Sequence, residues 1–267
     1  MKKSHAGSKS TPTTRLTDSA ARLMVSNLCK KHSAFLAFYS DNKAAIDAIT
    51  ITWTINTYAK KEGNSSPATN TIILKKYPKS PEDARIVAHE IVHLLLWNEG
   101  YPYIVANPQT DDDHPRLLHD LALALQEPVF EPLVESRIKK YFRKFCSDNA
   151  KEAIKGLSKF LENKENVRGK ITDPRTLLYY SCGYAKWCLL LEATCDKEKA
   201  DEYSRKFTHH FGSDIVPCAE KIVAAVKKYS TRSPESVIMI FEILLQDDAW
   251  KFDYQYQDEL NRFVINR

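Results

Sequence analysis

Apolar residues along this chain follow two periods, and the changes between them divide it. Residues 1 to 14, MKKSHAGSKSTPTT, show no period; they are too polar to repay the entropy of ordering and are expected to form a disordered tail. From Asp18 to His32, Ala21, Leu23, Met24, Val25, Leu28 and Cys29 recur at helical spacing, and Ala34 to Tyr39 is a short apolar and aromatic run, strand or helix extension. The period then shortens to two. Ile49, Ile51, Trp53 and Ile55 alternate with Thr50, Thr52, Thr54 and Asn56, which predicts a strand with one buried face. Lys60 to Asn70 is polar and turn-rich, and Thr71 to Tyr77 is a second β run. The two strands are expected to pair antiparallel through the long loop.

Helical periodicity returns at Ser80 to Gly100, SPEDARIVAHEIVHLLLWNEG. Ser80 is a good N-cap, Pro81 falls where its missing N–H costs nothing, and Glu82 and Asp83 favour the helix dipole. Gly100 and Pro102 close the helix. Apolar residues cover most of its circumference, so it is expected to be buried. The following residues to Pro115 hold three prolines and the cluster Asp111 to Asp113, and read as a loop. In Arg116 to Phe145, Leu117, Leu118, Leu121, Leu125, Val129 and Leu133 form a stripe, which Pro128 and Pro132 should kink or break. From Ser147 to Arg267 the chain reads as helical throughout.

The chemistry lies in the Ser80 to Gly100 helix, which carries His89-Glu90-Ile91-Val92-His93, an H-E-x-x-H motif. Two His four residues apart lie one turn above each other on one face, so both can reach one metal ion; Glu90 sits about 100° round the helix, beside an open coordination position. Inside a core, such residues are costly without partners, and a metal with its water would satisfy all three. A third ligand must come from elsewhere. Glu127, Glu131 and Glu135, spaced by four beside the proline-interrupted stripe, are the candidates. On an ideal wheel Glu131 and Glu135 lie nearer the apolar stripe, whereas Glu127 precedes the expected kink at Pro128.

Composition narrows the class. With 43% apolar residues, 10% aromatics and only 7 Gly in 267 residues, the chain is expected to be globular and helix-rich. A net charge of +5 is too modest to imply a nucleic-acid surface, and Lys139, Lys140, Arg143 and Lys144 read as a solvated stripe. Six Cys lack framework spacing and read as reduced core thiols. No apolar run is long enough to span a bilayer, and no apolar segment follows Lys2 and Lys3. The expected location is the cytoplasm.

The motif, the preceding β runs and the later carboxylates together resemble the zincin superfamily of zinc metallopeptidases, and within it the gluzincin branch. The resemblance covers Ile72 to Glu135. It implies a third ligand that begins an E-x-x-x-D-like pair whose second carboxylate orients a ligating His. Both Glu127-x-x-x-Glu131 and Glu131-x-x-x-Glu135 have that shape; Glu127 is favoured as ligand with Glu131 supporting it, because Glu127-Pro128 resembles an acid-before-Pro arrangement of bacterial and phage H-E-x-x-H proteins. The expectation is therefore an α+β, predominantly α-helical protein: a zincin-like domain over residues 15–146 with a small antiparallel sheet, then a helical region over 147–267. Its expected function is zinc-dependent hydrolysis of a peptide or protein by zinc-activated water, with His89, His93 and Glu127 as Zn²⁺ ligands and Glu90 as general base. By the same resemblance, the Thr71 to Tyr77 strand would hold an extended substrate by strand addition. The competing expectation is a non-catalytic, zincin-like interaction protein with a structural or vestigial metal site.

Overall fold

Helices dominate the fold, with two small mixed sheets between them. The computed structural model describes residues 13–107, 115–143, 173–194, 197–250 and 252–266. These fall into two compact units, residues 1–95 and 96–267. Residues 1–12 of the expected tail, including His5, lie outside the described residues, as do the Asp111 to Asp113 cluster, His114, Lys144, Cys146, Cys195 and the region where a boundary near residue 146 was expected.

The first unit opens with strand β1 (Thr13–Arg15), then helices α1 (Asp18–Lys31) and α2 (Ser33–Asp47). Thr17 caps α1 by accepting from the Ala20 N–H at 3.3 Å, and Met24, Leu28, Phe35 and Phe38 are buried. Strands β2 (Thr52–Asn56), β3 (Gly63–Ser66) and β4 (Thr71–Leu74) complete a sheet of order β1-β2-β4-β3. Here the expected antiparallel pairing of the two β runs gives way. β2 and β4 are parallel neighbours, Trp53 beside Ile72 and Ile55 beside Leu74. The antiparallel partner of β4 is β3, drawn from the polar stretch that reads as loop. The Pro67–Thr69 turn and Asn70, at φ +47°, reverse the chain between them. A connection of this length, running from Asn56 to Thr71, is what a parallel pair requires, since the chain must return to the start of the sheet.

Helix α3 (Pro81–Asn98) carries the motif, and its ends are fixed as the residues dictate. Ser80 Oγ accepts from the Asp83 N–H at 3.0 Å, while Asp83 Oδ2 accepts from the Lys79 and Ser80 N–H groups, each at 2.9 Å. This reciprocal cap satisfies donors that the first turn leaves orphaned. At the other end Gly100 takes φ +89°, its N–H donating to Trp97 O and the Tyr101 N–H to Leu96 O, both at 3.0 Å. That pair of bonds is a Schellman ending.

In the second unit, β5 (Tyr103–Ala106) replaces the start of the expected loop, followed by α4 (Pro115–Ile138), α5 (Pro174–Thr194), α6 (Lys197–Tyr229) and α7 (Pro234–Leu245). The terminal stretch is not helical: β6 (Asp253–Gln257) and β7 (Arg262–Asn266) form a hairpin, and β7 pairs parallel with β5. Asp258–Leu260 and Asn261, at φ +45°, supply the turn. Helix α4 runs through Pro128 and Pro132 without a break. An interior proline costs about 3 kcal/mol. Burial of Leu125, Val129, Phe130, Val134 and Ile138 at about 1.5–3 kcal/mol each outweighs two such costs.

Candidate metal centre

Helix α3 turns two stripes in different directions. His89 and His93, four residues apart, form one; their Nε2 atoms stand 3.3 Å apart with the rings edge-on, centroids 5.0 Å apart. Ile86 and Glu90, also four apart, form the other and lie under β3. Glu90 is buried, 7% exposed, whereas both His are half-buried.

The carboxylate grouped with the two histidines is Glu131. Ligand atoms of His89, His93 and Glu131 all lie within 4.8 Å of one another, and the three form the one group among the described residues that could hold a metal ion. Glu127, the residue expected there, is not in that group; its Oε2 accepts from Lys186 Nζ of α5 at 2.8 Å. The physical reason is the continuity of α4. An unbroken helix keeps the wheel valid, and one turn separates the carboxylate that meets Lys186 from the one that meets the histidines. Glu135, one turn further, is 2% exposed and so lies inside the protein.

Within the second unit, three contacts fix the turn that carries Glu131. Tyr103 of β5 stacks on the preceding Phe130, centroids 4.7 Å apart and planes 14° apart. Gln126 Nε2 donates to Ile104 O at 2.9 Å and Ala122 O at 3.0 Å. Arg137 forms a bidentate pair with Glu99, both bonds 2.7 Å. The stacking and the Gln126 bonds rest on β5.

The donor set suits a small divalent cation. The two Nε2 atoms stand 3.3 Å apart and a Glu131 oxygen lies within 4.8 Å of both, close enough for one ion to be shared by the three. Two neutral imidazoles and one carboxylate also leave a net charge that a dication more than balances.

Other expected features divide. Lys139 Nζ donates to Ala193 O at 2.8 Å, closing the end of α5, and Lys140 lies over the Tyr141 ring. These two lysines have partners within the fold. Strand β4 is internal to its sheet, between β2 and β3, so its backbone cannot accept a further strand; among the described residues, the sheet edge next to the motif helix is β3. The contact of β3 with Glu90 has a single trace in the sequence, Gly63. No protein-family model, no curated protein and no solved structure matches the chain.

Proposed function

We propose that the protein is a zinc-dependent hydrolase acting on peptide bonds, with His89, His93 and Glu131 as the metal ligands. The observation that carries the reading is the convergence of Glu131 with an H-E-x-x-H pair at ligand spacing. When bound, zinc supplies Lewis acidity, which brings the pKa of water towards neutrality and polarises a carbonyl. The chain's residues supply the rest. His89 and His93 present unprotonated Nε2 atoms, so each ring carries its proton on Nδ1. Glu90 takes the proton that the attacking water gives up and returns it to the leaving amine. By the gluzincin resemblance, Glu131-x-x-x-Glu135 is the ligand pair, and the buried Glu135 orients a ligating His.

The sheet edge at β3 offers backbone N–H and C=O groups to an extended peptide, which would lie beside Glu90. A cytoplasmic location is supported by free thiols at Cys29, Cys182 and Cys188. Burial pushes the Cys188 thiol up to about 11, and raises that of Cys182 further, so neither ionises at neutral pH. Among the described residues, no helix is long and apolar enough to cross a membrane.

The test is Glu90→Gln, measured for zinc content and for hydrolysis of a labelled casein. The expected result is about one zinc per chain with turnover reduced by a factor of about 10² or more. Undiminished hydrolysis would overturn the assignment of Glu90; zinc binding with no hydrolysis by the wild type would favour the non-catalytic, zincin-like reading.

A further inference from the structure

We infer that Gly63 is a positioning residue for Glu90, and that the absence of a side chain there makes the space in which the carboxylate sits. The inference rests on the role proposed for Glu90. Its basis is the register of the first sheet. Neighbouring residues across strands share a face, so the rows Trp53, Ile72, Ser65 and Ile55, Leu74, Gly63 each lie on one side. A Cβ built at Gly63 points at α3, which identifies this as the helix-facing side, and Ile72 and Leu74 are buried on it. The second row runs Ile55, Leu74 and then no side chain at all at Gly63.

What fills the end of that row comes from the helix. A Cβ at position 63 would lie 2.6 Å from Ile86 Cγ2, 3.0 Å from Glu90 Oε1 and 3.1 Å from Glu90 Cγ. Any other residue therefore requires a shift of Ile86, of Glu90 or of the strand. Ile86 gives little, because a β-branched side chain in a helix has one strongly preferred rotamer. Moving Ile86 clears only the 2.6 Å contact; the Glu90 atoms at 3.0 and 3.1 Å must yield as well, through rotation about their side-chain bonds. The chain has only 7 glycines, and here one brings a strand backbone against the motif helix at the general base. Gly63 thus sets how close β3 lies to Glu90, and with it where the carboxylate meets water.

The experiment compares wild type, Gly63→Ala and Gly63→Ala/Ile86→Ala, each as the full zinc-loaded chain. Zinc content, thermal midpoint, casein turnover and the crystallographic position of the Glu90 carboxylate are measured. In Gly63→Ala we expect zinc retained at about one per chain and the carboxylate displaced by ~0.5 Å or more. Turnover should fall about tenfold or more in kcat, with KM changed less than about twofold. Truncating Ile86 to Ala, which removes Cγ2 with the rest of the side chain beyond Cβ, should recover part of the lost thermal stability without restoring kcat. An unmoved carboxylate in Gly63→Ala, or recovery of kcat together with stability in the double variant, would make Gly63 a packing residue and overturn the inference. A wild type that holds zinc but leaves casein intact would count against the proposed hydrolysis, while the carboxylate position would still decide the role of Gly63. A wild type that holds no zinc would remove both readings.

Discussion

Glu127 and Glu131 are one turn apart on α4, and that turn decides which carboxylate meets the two imidazoles. On the proposed ligand set, Glu131→Ala should weaken zinc binding by more than about a hundredfold, since it would remove a ligand and not merely a group supporting one. Glu127→Ala should leave zinc affinity unchanged by isothermal titration and instead lower stability by about 1–2 kcal/mol, because Lys186, 18% exposed at its side chain, loses a carboxylate partner. A comparable loss of zinc affinity in both variants would contradict the placement. His89, Glu90 and His93 are legible because one helix carries them and spacing alone fixes their faces. The third ligand requires knowing whether Pro128 breaks α4. Local chemistry argues for a break; burial of the apolar stripe, a tertiary effect, prevents it.

At the scale of elements, the ends of α3 are written in single residues. Gly100 at φ +89° occupies a region where a Cβ is strained, so Gly100→Ala should cost about 1 kcal/mol in denaturant unfolding. Burial by itself would raise the Asp83 pKa. The Lys79 and Ser80 N–H groups, the Ser80 hydroxyl and the Lys76 ammonium outweigh it and hold the carboxylate at about 2. Because the folded pKa lies below an unfolded value of about 3.9, this contribution is complete above pH ~4 and disappears as pH falls through about 2. The stability difference between wild type and Asp83→Asn should follow the same course in unfolding curves collected from pH 7 to pH 2; a difference constant across that range would contradict it. Both caps are readable in sequence. The strands are harder: Gly63–Ser66 has no apolar residue, and its pairing with β4 comes from the turn chemistry of Pro67 to Asn70. At the far end of the chain, the alternation in Asp253–Gln257 and the β-preferring apolar run Phe263–Ile265 are β signals, but helical segments on their N-terminal side dominate that region.

For the whole molecule, the expectation of a predominantly helical α+β fold holds, with mixed sheets in place of a small antiparallel one. If the native chain holds zinc and the unfolded chain does not, zinc at a hundred times its Kd adds about 2.7 kcal/mol to stability. Chelation should accordingly lower the thermal midpoint, and restored zinc should return it; a midpoint indifferent to both would mean that no such site exists. The most direct measurement is zinc stoichiometry by elemental analysis on wild type beside His93→Ala, Glu127→Ala and Glu131→Ala. About one zinc per chain is expected in wild type and Glu127→Ala, and loss of zinc in His93→Ala and Glu131→Ala. No zinc in wild type after the metal is offered, or loss at Glu127 with retention at Glu131, would contradict the proposed ligand set.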